Sequence, residues 1–463
     1  MTSIHDIGTW LNDRLALLID EHDVPGASVA VLHDGHVVSA AAGVLSQATG
    51  VEATVDSVFQ IGSITKLWTS TLIMQLVDEG LIDLDTPVIE YLSELAVIGT
   101  PESAAVTARQ LLSHTSGLDG DVFTDTGPGD DCIERYIATL GGLAQLFAPG
   151  EMFSYSNTAF CVLGRLVEVM RGRPFDVCLR THLIDPLGLK HAASGPYEAI
   201  LHRAAVGHLE VSPGGGQQPT TRWALPRSTA GAGAHLAMSA EDLLAFVTMH
   251  LEGGVAADGR RLLDVASVEA MQRREVELPY LGFMGNAWGL GWGIYDWPGG
   301  VVLGHDGGTI GQSAFLRVVP EQGLAVTLLV NGGDPFGVYR EVFERVLREL
   351  GGITVPILPS PPTDPVDIPA DRYVGTYQSE LLVTEVSQDE TGAVWAEQSP
   401  RGIAAEMGGA TVRTQLVGLD GDTLIGVEQR HGMYAPFAFV GDDGSGRAAY
   451  LHTGRADRRV EPV

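Results

Sequence analysis

Ser63 and Lys66 stand three residues apart in "FQIGSITKLWTS" (59–70). Three residues is close to one helical turn, so the two side chains share a face, and a neutral lysine there can take the serine proton and leave a nucleophile. Lys66 is one of only two lysines, the other being Lys190. Its apolar neighbours Ile61, Leu67 and Trp68 favour the neutral amine, because burial penalises the charged form. On its own, the spacing equally fits a solvated helix lysine. Two distant stretches offer partners. "PGEMFSYSNTAFCVLG" (149–164) places the Tyr155 phenol and the Asn157 amide just before an apolar helix, although Tyr155 could be mere packing and Asn157 a helix cap. His305-Asp306-Gly307-Gly308 closes the apolar run VVLGHDGG, where glycines let a substrate lie close to a strand edge. Among the other histidines, His114 and His235 read as structural or rim residues.

These groups need elements to hold them. SITKLWTSTLIMQLVDEG (63–80) carries apolar residues at three- and four-residue spacing up to Gly80, which predicts a helix beginning at Ser63, with the hydroxyl near helix N-terminal N–H groups. TWLNDRLALLIDEH, TARQLLSHTSG, TAFCVLGRLVEVMRG, SAEDLLAFVTMHLEGG and YREVFERVLREL predict further helices. VPGASVAVLHDGHVVSAAAG predicts a hairpin turning at Asp34-Gly35, and VVLGHDGG, QSAFLRVVP and GLAVTLLVNGG predict three successive late strands. Strands at both ends with helices between them imply an α+β domain: one antiparallel sheet covered by helices. Six prolines between Pro356 and Pro369 then predict a stiff connector. The domains are therefore set at 1–352 and 370–463, with a Pro-rich linker over 353–369. Past it, short alternating segments such as YVGTYQ, AVWAEQ and TLIGVEQ predict a small all-β domain.

Together, the motifs resemble those of the serine β-lactamase and penicillin-binding-protein superfamily, especially its class C-like branch. The family's S-x-x-K is matched by Ser63-Ile64-Thr65-Lys66 and its Y-x-N by Tyr155-Ser156-Asn157. Its K-T-G is replaced by His305-Asp306-Gly307, a variant of related esterases, aminopeptidases and peptide cyclases. "QLLSHTSGL", "APGEMFSYSN" and "VPEQGLAVTLLVNGG" add to the likeness, which spans roughly residues 8–350. The resemblance implies that Ser63 attacks a carbonyl with Lys66 and Tyr155 as the proton-transfer pair. It implies an oxyanion hole from the N–H groups of Ser63 and Gly308. Asn157 would orient Lys66 and the substrate amide, His305 would take the place of the motif lysine, and Asp306 and Gly307 would line the substrate. No cofactor or metal is implied. Without the motif lysine a β-lactam carboxylate loses one fixed positive charge.

The formal charge of −30 repels phosphate backbones and anionic membrane surfaces, so neither nucleic acid nor a membrane is expected as a partner. No apolar run is long enough to span a bilayer. Cys132, Cys161 and Cys178 lack metal spacing and read as buried residues of a reducing compartment. The N-terminal MTSIHDIGTWLNDRL has no basic segment followed by an apolar one, so the expected location is cytoplasmic, which disfavours a cell-wall peptidase.

Within the family, the resemblance is greatest to penicillin-binding-protein-type thioesterases, standalone cyclases of nonribosomal peptides that carry a lipocalin-like β-domain. It implies transfer of a peptidyl group with a C-terminal D-residue to Ser63, from a thioester on a carrier protein of a peptide synthetase. The peptide's own amine would then close a head-to-tail macrolactam. One alternative is an intracellular hydrolase, a D-aminopeptidase, D-peptidase or esterase. Another is a covalent binding protein without turnover. Arg455, Arg458 and Arg459 in "HTGRADRR" (452–459) are candidates to anchor a substrate carboxylate or carbonyl if the β-domain folds over the cleft.

Overall fold

Asp34 and Gly35 adopt positive φ, 49° and 74°, and turn the chain tightly from β1 (Gly26–His33) into β2 (His36–Ser46). The turn falls where the Asp-Gly pair predicts it, with His33 opposite His36 and Gly26 opposite Gly43. The computed structural model describes all residues except 1, 211–213, 403–404, 406–408, 431–432 and 462–463. The hairpin belongs to a nine-stranded sheet that β3 (Gly293–Trp297), β4 (Gly300–Gly308), β5 (Ser313–Val319) and β6 (Leu324–Val330) continue as antiparallel neighbours. β6 pairs with β1, so the first and last parts of the domain close the sheet centre together.

Side chains alternate across this sheet and fill two cores. Val29, Val31, Phe315 and Val326 face α1 (Ile4–Glu21) and a C-terminal helix, Pro335–Gly351. Ala30, Leu32, Leu316 and Leu329 face the larger core, where α2 (Thr65–Asp78) and α3 (Asn157–Arg171) lie with α4 (Ala240–Leu251). Trp68 of α2 stacks on Phe246 of α4 at 4.2 Å, fixing the two helices against each other. The stretch read as one helix from Ser63 is a 3-10 turn, Gly62–Ile64, followed by α2. TARQLLSHTSG forms a helix only over Ala108–Leu112, because Thr107 caps it and the chain turns at His114 with φ 58°.

The Pro-rich stretch from 354 to 369 has neither helix nor strand, as missing amide donors and fixed φ dictate. Beyond it, eight strands from Gly375–Gln378 to Ala456–Val460 form a closed antiparallel barrel. Its last hairpin, Tyr450–His452 with Ala456–Val460, docks on the helical domain. Tyr450 Oη donates to the Leu146 carbonyl at 3.1 Å and the Ala456 N–H to Ser154 Oγ at 3.1 Å. No helix among the described residues is long and apolar enough to cross a membrane.

Candidate active site

Ser63 sits on the 3-10 turn and Lys66 in the first turn of α2, with their Oγ and Nζ atoms 3.1 Å apart. Lys66 is fully buried, and burial pulls its pKa down to about 7, against the opposing pulls of Cys161 and then Asp121. Two further oxygens lie 2.7 Å from Nζ: Asn157 Oδ1 and the Ala232 carbonyl. Both can only accept hydrogen bonds. A neutral amine has two N–H bonds and one lone pair, so these acceptors take the two donors and leave the lone pair for the Ser63 hydroxyl. The pocket thus orients the base as well as neutralising it.

Ser156, not Asn157, caps α3: its hydroxyl accepts from the Ala159 N–H at 2.9 Å. That leaves the Asn157 amide free, with Oδ1 toward Lys66 and Nδ2 donating to Asp121 Oδ1 at 2.6 Å. Burial pushes the Tyr155 phenol up, against the influence of the Ser63 hydroxyl beside it, so it stays protonated at neutral pH and can hand on a proton. Its ring stacks on His114 at 4.4 Å. His114, read from sequence as structural or rim, is buried here and its Nδ1 accepts the Ser156 N–H at 2.9 Å, which fixes the loop that carries Tyr155. His235 is buried as well, its Nε2 3.0 Å from the Leu225 carbonyl.

The edge of β4 packs against the serine turn. A Cβ on Gly307 would lie 1.9 Å from the Ile61 carbonyl oxygen and 3.0 Å from the Ser63 nitrogen, and one on Gly62 would lie 2.6 Å from the Gly308 nitrogen. Only glycine allows this approach, which brings the Ser63 and Gly308 main chains together as an oxyanion hole requires. A Cβ on Gly233 would likewise meet the Gly62 carbonyl at 2.3 Å, so the Gly/Ala-rich run before His235 is a close-approach segment too.

His305 is buried and packs edge-on to Trp288 at 5.3 Å. Its Nδ1 donates to the Asp306 carbonyl at 2.7 Å, so the proton resides there and Nε2 carries the lone pair. Burial, then Lys66, drives its pKa to about 3, and the imidazole is neutral. The position that holds a lysine in K-T-G therefore supplies no positive charge here.

The structure does not bring Asp306 to the site. Neighbouring residues of a strand point to opposite faces, and Asp306 lies on the α1 side, where Arg317 Nη1 and Nη2 hold its carboxylate at 2.5 and 3.0 Å. Nor does it bring Arg458, which is exposed on the outside of the barrel. Arg459 staples the barrel instead, bonding the Val374 and Arg372 carbonyls at 2.7 and 3.0 Å. Arg455 does reach the site: it lies over the Tyr155 ring, 5.0 Å from its centroid, and pairs with the buried Asp121 through Nε and Nη2. The Gly454 carbonyl beside it accepts the Tyr155 N–H at 3.1 Å. Asp121 and Ala232 went unrecognised in the sequence. Their only signals were the turn-like LDGD and the small-residue run TAGAGA.

Residues 11–349 match the family model described as Beta-lactamase. The chain is 43% identical over 378 residues to Penicillin-binding protein 4 of Amycolatopsis lactamdurans, covering 81% of this chain and 98% of that one. The solved structure of SurE is similar over 99% of this chain and 100% of its own, at 27% identity and a TM-score of 0.78. SurE with D-Leu is similar over 98% and 100%, at 26% identity and a TM-score of 0.76. D-amino acid amidase from Ochrobactrum anthropi SV3 complexed with D-phenylalanine is 25% identical over 73% of this chain and 98% of its own, with a TM-score of 0.60.

Proposed function

The chain belongs to the beta-lactamase family as a serine hydrolase or acyltransferase, and we propose that it is a penicillin-binding-protein-type thioesterase that macrocyclises a peptide. Ser63 Oγ attacks the thioester carbonyl while Lys66 Nζ takes the proton, and the oxyanion rests on the N–H groups of Ser63 and Gly308. Collapse breaks the C–S bond, and the thiol leaves with a proton relayed through Lys66 and Tyr155. The peptide's N-terminal amine then attacks the Ser63 ester, Lys66 takes the amine proton, and Ser63 departs as its hydroxyl.

The observation that carries this reading is the seat of the last barrel hairpin on the Tyr155 loop. It makes the β-domain one wall of the cleft, in an architecture like that of SurE over its whole length. A second wall limits water at the ester and favours an amine already tethered to the acyl group. The D-Leu in a SurE structure supports a C-terminal D-residue on the substrate. A carrier protein of a peptide synthetase fits as acyl donor.

A second reading is hydrolysis, favoured by the likeness to D-amino acid amidase over 73% of this chain. The test uses peptidyl N-acetylcysteamine thioesters ending in D- or L-leucine, with product masses read by chromatography. Cyclic product from the D-substrate, lost in Ser63→Ala, is the expected result. Linear acid alone would replace cyclisation by hydrolysis. A stable adduct without product would indicate a covalent binder.

A further inference from the structure

A chain of polar contacts, half-buried at Arg455 and buried beyond it, links the barrel to the base. Arg455 of the barrel hairpin grips the Asp121 carboxylate, Asp121 Oδ1 accepts from Asn157 Nδ2 at 2.6 Å, and Asn157 Oδ1 accepts from Lys66 Nζ at 2.7 Å. The Asn157 amide is polar in a fixed sense. With Asp121 an obligate acceptor on one side and Lys66 a donor on the other, only one orientation satisfies both. The flipped amide would set N–H against the lysine N–H bonds and oxygen against a carboxylate. Asp121 is only 4% exposed, so its charge needs a partner, and Arg455 provides one from another domain.

We propose that Asp121 is a positioning residue clamped by Arg455, which sets the Asn157 amide and hence the acceptor geometry of Lys66, so that seating the barrel completes the catalytic base. The inference deepens the acyl-enzyme reading above and rests on it. It does not depend on which nucleophile later releases the acyl group.

Charge gives the relay a signature that packing alone lacks. Ser63 on the serine turn, Asn157 and Cys161 on α3, Tyr155 and His114 on the loops, His305 on β4, and Asp121 and Arg455 face Lys66. Of these, Cys161 and then Asp121 raise its affinity for protons and Arg455 lowers it. Burial pushes the Cys161 thiol up to about 12 and His305 is neutral, so the charges facing the lysine are those of Asp121 and Arg455. Asp119 and Asp457 lie beyond, near Asp121 and Arg455. Removing Arg455 must therefore shift the lysine's titration upward, and removing the Asp121 charge must shift it downward.

The test is the acylation burst of the full-length protein with p-nitrophenyl acetate from pH 5 to 9, for wild type, Arg455→Met, Arg455→Lys, Asp121→Asn and Ser63→Ala. The acidic limb should move up for Arg455→Met and down for Asp121→Asn, each on the order of one pH unit. Asp121→Asn should also slow acylation about 10- to 100-fold, because the amide loses its charged acceptor. Arg455→Lys keeps the charge, and its limb should stay near that of wild type. Slower bursts with unmoved limbs, or limbs moving the same way, would overturn the proposal while leaving the acyl-enzyme reading intact. A burst that survives in Ser63→Ala would overturn both.

Discussion

Replacing Gly307 by alanine tests whether the approach of β4 to the serine turn builds an oxyanion hole. The new Cβ would sit 1.9 Å from the Ile61 carbonyl oxygen. An ordinary C···O contact is about 3.3 Å, so the strand edge must retreat by about 1 Å or more. A shift of that size at reacting groups costs on the order of 10²-fold in rate, and loss of one oxyanion donor costs about 10²–10³-fold. Acylation of Gly307→Ala should therefore fall by roughly two to three powers of ten. Overpacking of this kind costs roughly 1–3 kcal/mol in stability, so the variant should fold. Gly308→Ala is the matched control, since a Cβ there meets nothing within 4 Å. The assay is stopped-flow release of p-nitrophenol at pH 8, with urea unfolding measured in parallel. A folded Gly307→Ala that acylates within threefold of wild type would refute the reasoning.

Three further outcomes follow from the buried charges. Lys66 titrates near 7 in the folded chain and near 10.5 when unfolded, so between those values the folded state binds fewer protons and gains stability as pH rises. Relative to Lys66→Met, wild type should gain about 1.4 kcal/mol per pH unit from roughly 7 to 10 in urea titrations, and a flat difference would contradict a neutral lysine. Asp457 is pushed up to about 7 by burial, so the folded chain binds the extra proton between its ordinary value and 7 and loses stability as pH rises across that window. The stability gain of Asp457→Asn over wild type should grow over the same pH range, and a gain independent of pH would refute the assignment. Asp306→Ala strands the buried Arg317, which is 4% exposed, and should cost about 3–5 kcal/mol in stability. The acidic limb of acylation should not move, and a moved limb would return Asp306 to the active site.

Much of the site was legible in the sequence because its reacting groups lie in short motifs. Ser63 and Lys66 fall three residues apart, and Tyr155 and Asn157 fall on either side of the residue that caps α3. The Asp34-Gly35 turn and the alternating strands past the prolines carried their own local signals. What local pattern could not reveal came from the meeting of distant loops. The Ala232 carbonyl offers no side chain to recognise, and Asp121 acquires its role only through Arg455, which is 334 positions away. The Asp306 expectation failed for a reason that strand geometry already contains: if His305 faces the serine, its neighbour must face away. Asn157 was open as a cap of α3, and the structure gives that place to Ser156 and Asn157 to the lysine.

The central claim is that Ser63 carries the peptidyl group and an amine releases it. Intact-mass spectrometry during turnover of a peptidyl thioester ending in D-leucine tests that claim most directly. The account predicts transient addition of the peptidyl mass at Ser63, followed by cyclic product lighter than the linear acid by one water. Cyclic product formed with no adduct at Ser63, or formed equally by Ser63→Ala, would contradict it.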